Sequence, residues 1–88
     1  MKLNSDFLIH DTGNGEILIP VGEETKKFHG VIKLNEMGSV IVHLIENDDL
    51  SLEEILEHIY DNYEGDPEFI KSSVESFIKT LKESHAVH

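Results

Sequence analysis

The chain has 88 residues, no cysteine, and 18 acidic against 7 basic side chains, for a formal charge of -11. A chain of this length supports one core that buries about 60% of its unfolded surface, so a single domain over residues 1–88 is expected. The absence of thiols excludes disulfides, thiolate nucleophiles and thiolate metal sites. The charge repels phosphate backbones and anionic lipid, and no apolar run approaches the roughly 20 residues of a membrane span, so a soluble cytoplasmic protein without nucleic-acid or membrane partners is expected.

Phe7 to His10 is a short apolar run, Asp11 to Gly15 (DTGNG) is a turn cluster, and Glu16 to Val21 (EILIPV) is a second apolar run. Together they predict a hairpin, with Pro20, which lacks an amide donor, at an edge or at a strand end. Gly22 to Lys27 is a polar connection. Phe28 to Leu34 (FHGVIKL) alternates as a third strand, with Phe28, Ile32 and Leu34 on one face and His29, Val31 and Lys33 on the other.

Helical spacing takes over at Asn35, a good N-cap, after which Met37, Val40, Ile41, Leu44 and Ile45 form the expected buried stripe of a first helix ending near Glu46. Ser51 and Glu54 form a capping box ahead of Leu52, Ile55, Leu56, Ile59 and Tyr63, the stripe of a second helix. Asp66 as N-cap and Pro67 at the first helical position open a third, running to about Ser84 with Ile70, Val74, Phe77 and Leu81 inward. The acidic residues between Glu46 and Glu68 are read as solvated helix faces. The fold class is α+β, a three-stranded antiparallel sheet followed by three helices in a winged-helix-like order.

Reactive constellations are missing from this sequence. Of His10, His29, His43, His58, His85 and His88, only His85 and His88 stand three apart, at the terminus with no Cys or HExxH pattern nearby, so no metal role is expected; no serine lies in GxSxG, and no glycine-rich phosphate loop occurs. No catalytic residue, metal or cofactor is expected. A winged-helix DNA reader is the alternative reading, but its recognition helix would have to be the third. Lys71, Lys79 and Lys82 are there opposed by Glu68, Glu75 and Glu83.

Val21 to Gly38 reads VGEETKKFHGVIKLNEMG, a strand that runs through Leu34, Asn35 and Glu36 directly into a helix. With the opening hairpin, the FxGxIxL spacing, the LNEMG junction, the SLEEI start of the second helix and the long last helix, the chain resembles the PqqD family. That family is named for pyrroloquinoline quinone biosynthesis and related to the leader-binding domains called RiPP recognition elements. The chain departs from the family pattern at Ser84 to His88 (SHAVH), where many members have a glycine and a closing apolar residue.

The resemblance implies a non-catalytic adaptor that binds the leader of a ribosomally made precursor peptide and presents it to a modifying enzyme, often a radical SAM enzyme. The leader would add as a strand beside the third strand and rest against the third helix, giving Val31, Ile32, Lys33, Leu34, Lys71, Val74, Ile78 and Lys82 as the peptide-binding set. An edge strand fits that role because its unpaired amides and carbonyls can be satisfied by an extended peptide. Such an edge could also pair two copies into a homodimer. Lys26, Lys27, Lys33, Lys71, Lys79 and Lys82 all attend the two implied elements. Of the two flanks of the third helix, the one with Ile78, Lys71 and Lys82 is expected to face the peptide. The other, with Phe69, Ser73, Ser76 and Thr80, is its competitor.

Overall fold

A computed structural model describes residues 1–27 and 30–88. Strands β1 (Phe7–Asp11), β2 (Glu16–Pro20) and β3 (Ile32–Leu34) form one antiparallel sheet in the order β1-β2-β3, followed by α1 (Glu36–Ile45), α2 (Leu52–Asn62) and α3 (Pro67–Glu83). The α+β order expected from the sequence is the order observed. Phe7 pairs with Pro20 and Asp11 with Glu16, and Leu34 lies opposite Glu16. Pro20 ends the central strand, where a missing amide donor breaks no ladder beyond it.

The hairpin closes through local side-chain chemistry. The Asp11 carboxylate accepts from the Gly13 amide at 2.8 Å, and Gly13 and Gly15 take positive φ values of 90° and 133° that a Cβ would resist. Within the polar connection Gly22 to Lys27, residues Gly22–Lys26 form a 3-10 turn. The third strand is shorter than its alternation suggested. Gly30, at φ 119°, is followed by Val31 outside the strand, and the expected start at Phe28 and His29 lies outside the described residues.

The three helix starts are capped by the residues expected to do so. Asn35 Oδ1 accepts from the Gly38 amide at 2.7 Å. Ser51 Oγ accepts from the Glu54 amide at 3.1 Å while Glu54 accepts from the Ser51 amide at 3.0 Å. Asp66 accepts from the Glu68 amide, with Pro67 next to it. Each such cap is worth about 1 kcal/mol.

One apolar cluster joins the sheet to all three helices, with Leu18, Ile45, Ile55, Ile59, Val74 and Leu81 fully buried. Two expected stripes are corrected. In α1 the buried apolar residues are Ile41, Val42 and Ile45, while Met37, Val40 and Leu44 are half-buried. In α3 Ile78 is buried and Phe77 is half-buried.

The SHAVH tail closes the fold. The Ala86 amide donates to the Leu81 carbonyl at 2.9 Å and the His85 amide to Lys82 at 3.1 Å, the paired bonds of a Schellman cap. His85 stands at φ 61° where glycine is the usual occupant, and Ala86 is the closing apolar residue. Val87 then bridges Leu3, and the buried Asn4 donates to the His85 carbonyl at 2.8 Å.

Candidate functional site

Because β2 lies on one side of β3 and no described strand lies on the other, β3 has a free edge. Ile32 and Leu34 turn their side chains into the core, Lys33 is exposed, and Val31, just before the strand, is 46% exposed. An edge strand leaves part of its backbone donors and acceptors without a strand partner, the arrangement that an added extended peptide completes. The edge is bounded by Gly30 upstream and by the Asn35 cap downstream, so it offers a few residues of pairing.

Close to the exit of β3, one glycine decides how α3 packs. A Cβ placed on Gly38, in the first turn of α1, would lie 3.2 Å from Cε1 and Cζ of Phe77. Glycine at this position lets the aromatic ring approach the backbone just after β3 ends. At about 100° per residue, Ser73 shares the Phe77 flank, and Thr80, Phe69 and Ser76 lie further round the same side. Phe69 is 72% exposed.

The opposite flank faces elsewhere. Ile78 and Lys82 line a groove of about 310 Å³ with Leu52, the first residue of α2, together with Glu75, Lys79 and Glu83. Lys71 falls on this same flank by helical spacing. Of the residues expected to hold a peptide, Val31 and Lys33 are thus accessible at the edge, where Ile32 and Leu34 offer backbone alone. Val74 is 0% exposed and Ile78 4%, so both belong to the core instead of a contact surface. Lys71 and Lys82 are exposed, and Lys82 lines the groove with Leu52 at the start of α2. The residue that periodicity assigned wholly to the core is Phe77, and the signal for its position was Gly38, a small residue inside a helix stripe.

The lysines divide in the same way. Lys26 pairs with Glu23 at 3.5 Å, Lys27 with Glu24 at 4.0 Å and Lys79 with Glu83 at 3.9 Å. Lys33, Lys71 and Lys82 make no ion pair among the described residues. At the far end of β3, His43 Nε2 lies 3.0 Å from both carboxylate oxygens of Glu16, the residue opposite Leu34. That hydrogen bond is the main cause of a raised His43 pKa, opposed by partial burial and reinforced by the charges of Glu16 and Glu46.

Among the described residues no group of three or more His, Asp and Glu side chains converges on a metal-sized site. No described helix is long and apolar enough to cross a membrane.

A family model described as Coenzyme PQQ synthesis protein D (PqqD) matches residues 17–87. No curated protein matches the chain in sequence. Among solved structures, TbiB1 in complex with the TbiA(beta) leader peptide is similar with a TM-score of 0.75 and 20% identity, over 98% of this chain and 93% of that one. A lasso peptide synthetase B1 complexed with the leader peptide is similar with a TM-score of 0.69 and 18% identity, over 93% of this chain and 89% of that one. At these identities the two structures establish a shared fold.

Proposed function

Because the chain belongs to the PqqD family, we propose that it is an adaptor that binds the leader of a ribosomally made precursor peptide by strand addition and presents it to a modifying enzyme. The observation that carries this reading is the free edge of β3 in a fold whose two solved likenesses are each in complex with a leader peptide. The leader lies along Val31 to Leu34, exchanging backbone hydrogen bonds with the edge while Val31 and Lys33 meet alternate side chains. Phe77 and Ser73 of α3 form the wall, in place of the Lys71, Ile78 and Lys82 flank.

The chain acts in the cytoplasm without catalytic groups of its own, and the receiving enzyme is of the radical SAM class. A second copy is a poorer occupant of the edge than a peptide. The strand is three residues long with Lys33 at its centre, a feature that discourages self-pairing, and each copy carries a formal charge of -11.

Titrating the isotope-labelled chain with a cognate leader peptide tests the reading. The expected result is amide shifts grouped at Val31 to Leu34 and at Ser73 and Phe77. Shifts confined to α2, or none at saturating peptide, would sink it.

A further inference from the structure

We propose that the groove between the hairpin tip, α1 and α2 is a second docking site, which takes a cationic, apolar segment of a partner polypeptide independently of the free edge of β3. The groove has a volume of about 780 Å³ and an apolar floor of Leu34, Val40 and Leu44. That size accommodates several side chains at once.

The floor exists because α1 carries more apolar surface than the core absorbs. Its six apolar side chains are Met37, Val40, Ile41, Val42, Leu44 and Ile45, of which Ile41, Val42 and Ile45 are fully enclosed. Val40 and Leu44 stay half-buried and open onto the groove. The walls come from separate elements: Glu16 and the turn residues Asn14 and Gly15 on one side, His58 of α2 on the other. His43 ties the β2 wall to α1 through its 3.0 Å contacts with Glu16, which fixes the spacing between strand and helix.

Charge chooses the occupant. None of the seven lysines lines the groove, and the chain has no arginine. Glu16 is engaged by His43, so the free acidic charge among the lining residues is Glu36, while the exposed Glu54 and Asp61 lie outside the lining, one helical turn either side of His58. A segment pairing an apolar ridge with lysine or arginine would bury the floor and meet this charge. A second copy would bring the same acidic charge and an overall charge of the same sign. The groove is walled by β2, on the side of β3 that is already paired, so its occupant leaves the free edge open.

The test uses the full labelled chain and three synthetic peptides of equal length: an amphipathic leucine-lysine peptide, the same peptide with glutamate for lysine, and one with serine for leucine. The leucine-lysine peptide is expected to shift the amides of Ser39, Val40, His43, Leu44 and His58, with affinity falling as salt is raised. The other two peptides are expected to bind at least about tenfold more weakly, a difference of about 1.4 kcal/mol. The Val40→Lys variant, at a half-buried position, should abolish the shifts while circular dichroism stays unchanged. Glu36→Lys, at an exposed position in the first turn of α1, should weaken binding about threefold even if Val40→Lys disturbs folding. Equal response to the glutamate or serine peptide, or shifts that avoid Val40 and Leu44, would overturn the assignment. A failure here leaves the leader titration at β3 unaffected, because the two readouts rest on different amides.

Discussion

The two flanks of α3 each carry an apolar anchor at their border, Phe77 on one and Ile78 on the other, yet they meet different neighbours. Phe77 rests on the side-chain-free Gly38 at the exit of β3, whereas Ile78 meets the aliphatic Leu52 at the start of α2. The first flank continues through Ser73, Ser76 and Thr80, small side chains that permit close approach. The second is ringed by Glu75, Lys79, Lys82 and Glu83, charges of both signs that largely offset one another. Which neighbour each flank meets is thus set by where the helix packs, and the lysines it carries do not decide it.

Alanine substitution at the two anchors should separate them most widely. Ile78→Ala, deep in the core, is expected to lower stability by about 2–4 kcal/mol while leaving the leader affinity of the folded protein unchanged. Phe77→Ala, at a half-buried ring, should lower stability by less than the roughly 3–5 kcal/mol of a fully buried phenylalanine, but weaken leader binding about tenfold or more. Urea unfolding and fluorescence anisotropy measure the two quantities, and the opposite pairing of effects would exchange the roles of the flanks. Gly38→Val forces branched carbons against the Phe77 ring and the Asn35 cap, where even a Cβ would stand 3.2 Å and 3.1 Å away. The expected destabilisation is about 1–3 kcal/mol, with weaker leader binding; an unchanged midpoint in urea would show that the ring can move aside freely.

Smaller effects sharpen the contrast. Reversing both Lys71 and Lys82 to glutamate should change stability by no more than about 0.5 kcal/mol and leader affinity by less than about twofold. Lys33→Glu should alter leader affinity more than that double reversal, as isothermal titration can check. The least effect belongs to His43, whose half-exposed ring contacts Glu16 and Glu46. Its pKa is raised above 6.5 in the folded chain, so its contribution is fully present below about pH 6.5 and is lost as pH rises through the raised folded value. The stability difference between the native chain and His43→Gln, followed by thermal melts across that window, should shrink with increasing pH. A difference that grows with pH would contradict the contact.

Much of the fold was legible because its punctuation is local. Asn35, the Ser51 and Glu54 pair, and Asp66 with Pro67 act on amides two or three residues away, so their sequence spacing suffices to place helix starts. That β3 is an edge strand followed from the meander, which leaves β1 and β3 both at edges, whereas the choice of β3 as the edge that meets a peptide came from the family resemblance. The azimuth of helices was harder. In α1 the apolar arc is wide enough to fit two overlapping stripes, and only packing selects Ile41, Val42 and Ile45 over Val40 and Leu44. In α3 periodicity finds the buried side but carries no information on which neighbour lies at each border. The tail SHAVH was opaque for another reason. His85 takes a left-handed conformation that glycine accepts more readily, and the paired cap bonds with Ala86 in the core hold it there.

The bridge between Leu3 and Val87, with the His88 amide donating to the Lys2 carbonyl at 3.0 Å, sets the first and last residues side by side. In connectivity the fold is therefore close to a ring. A short linker could join the ends while the chain is opened at the exposed hairpin tip around Asn14, which cuts one wall of the groove and spares both the core and the edge of β3. The order in which these elements follow one another along the chain is then separable from the order in which they stack.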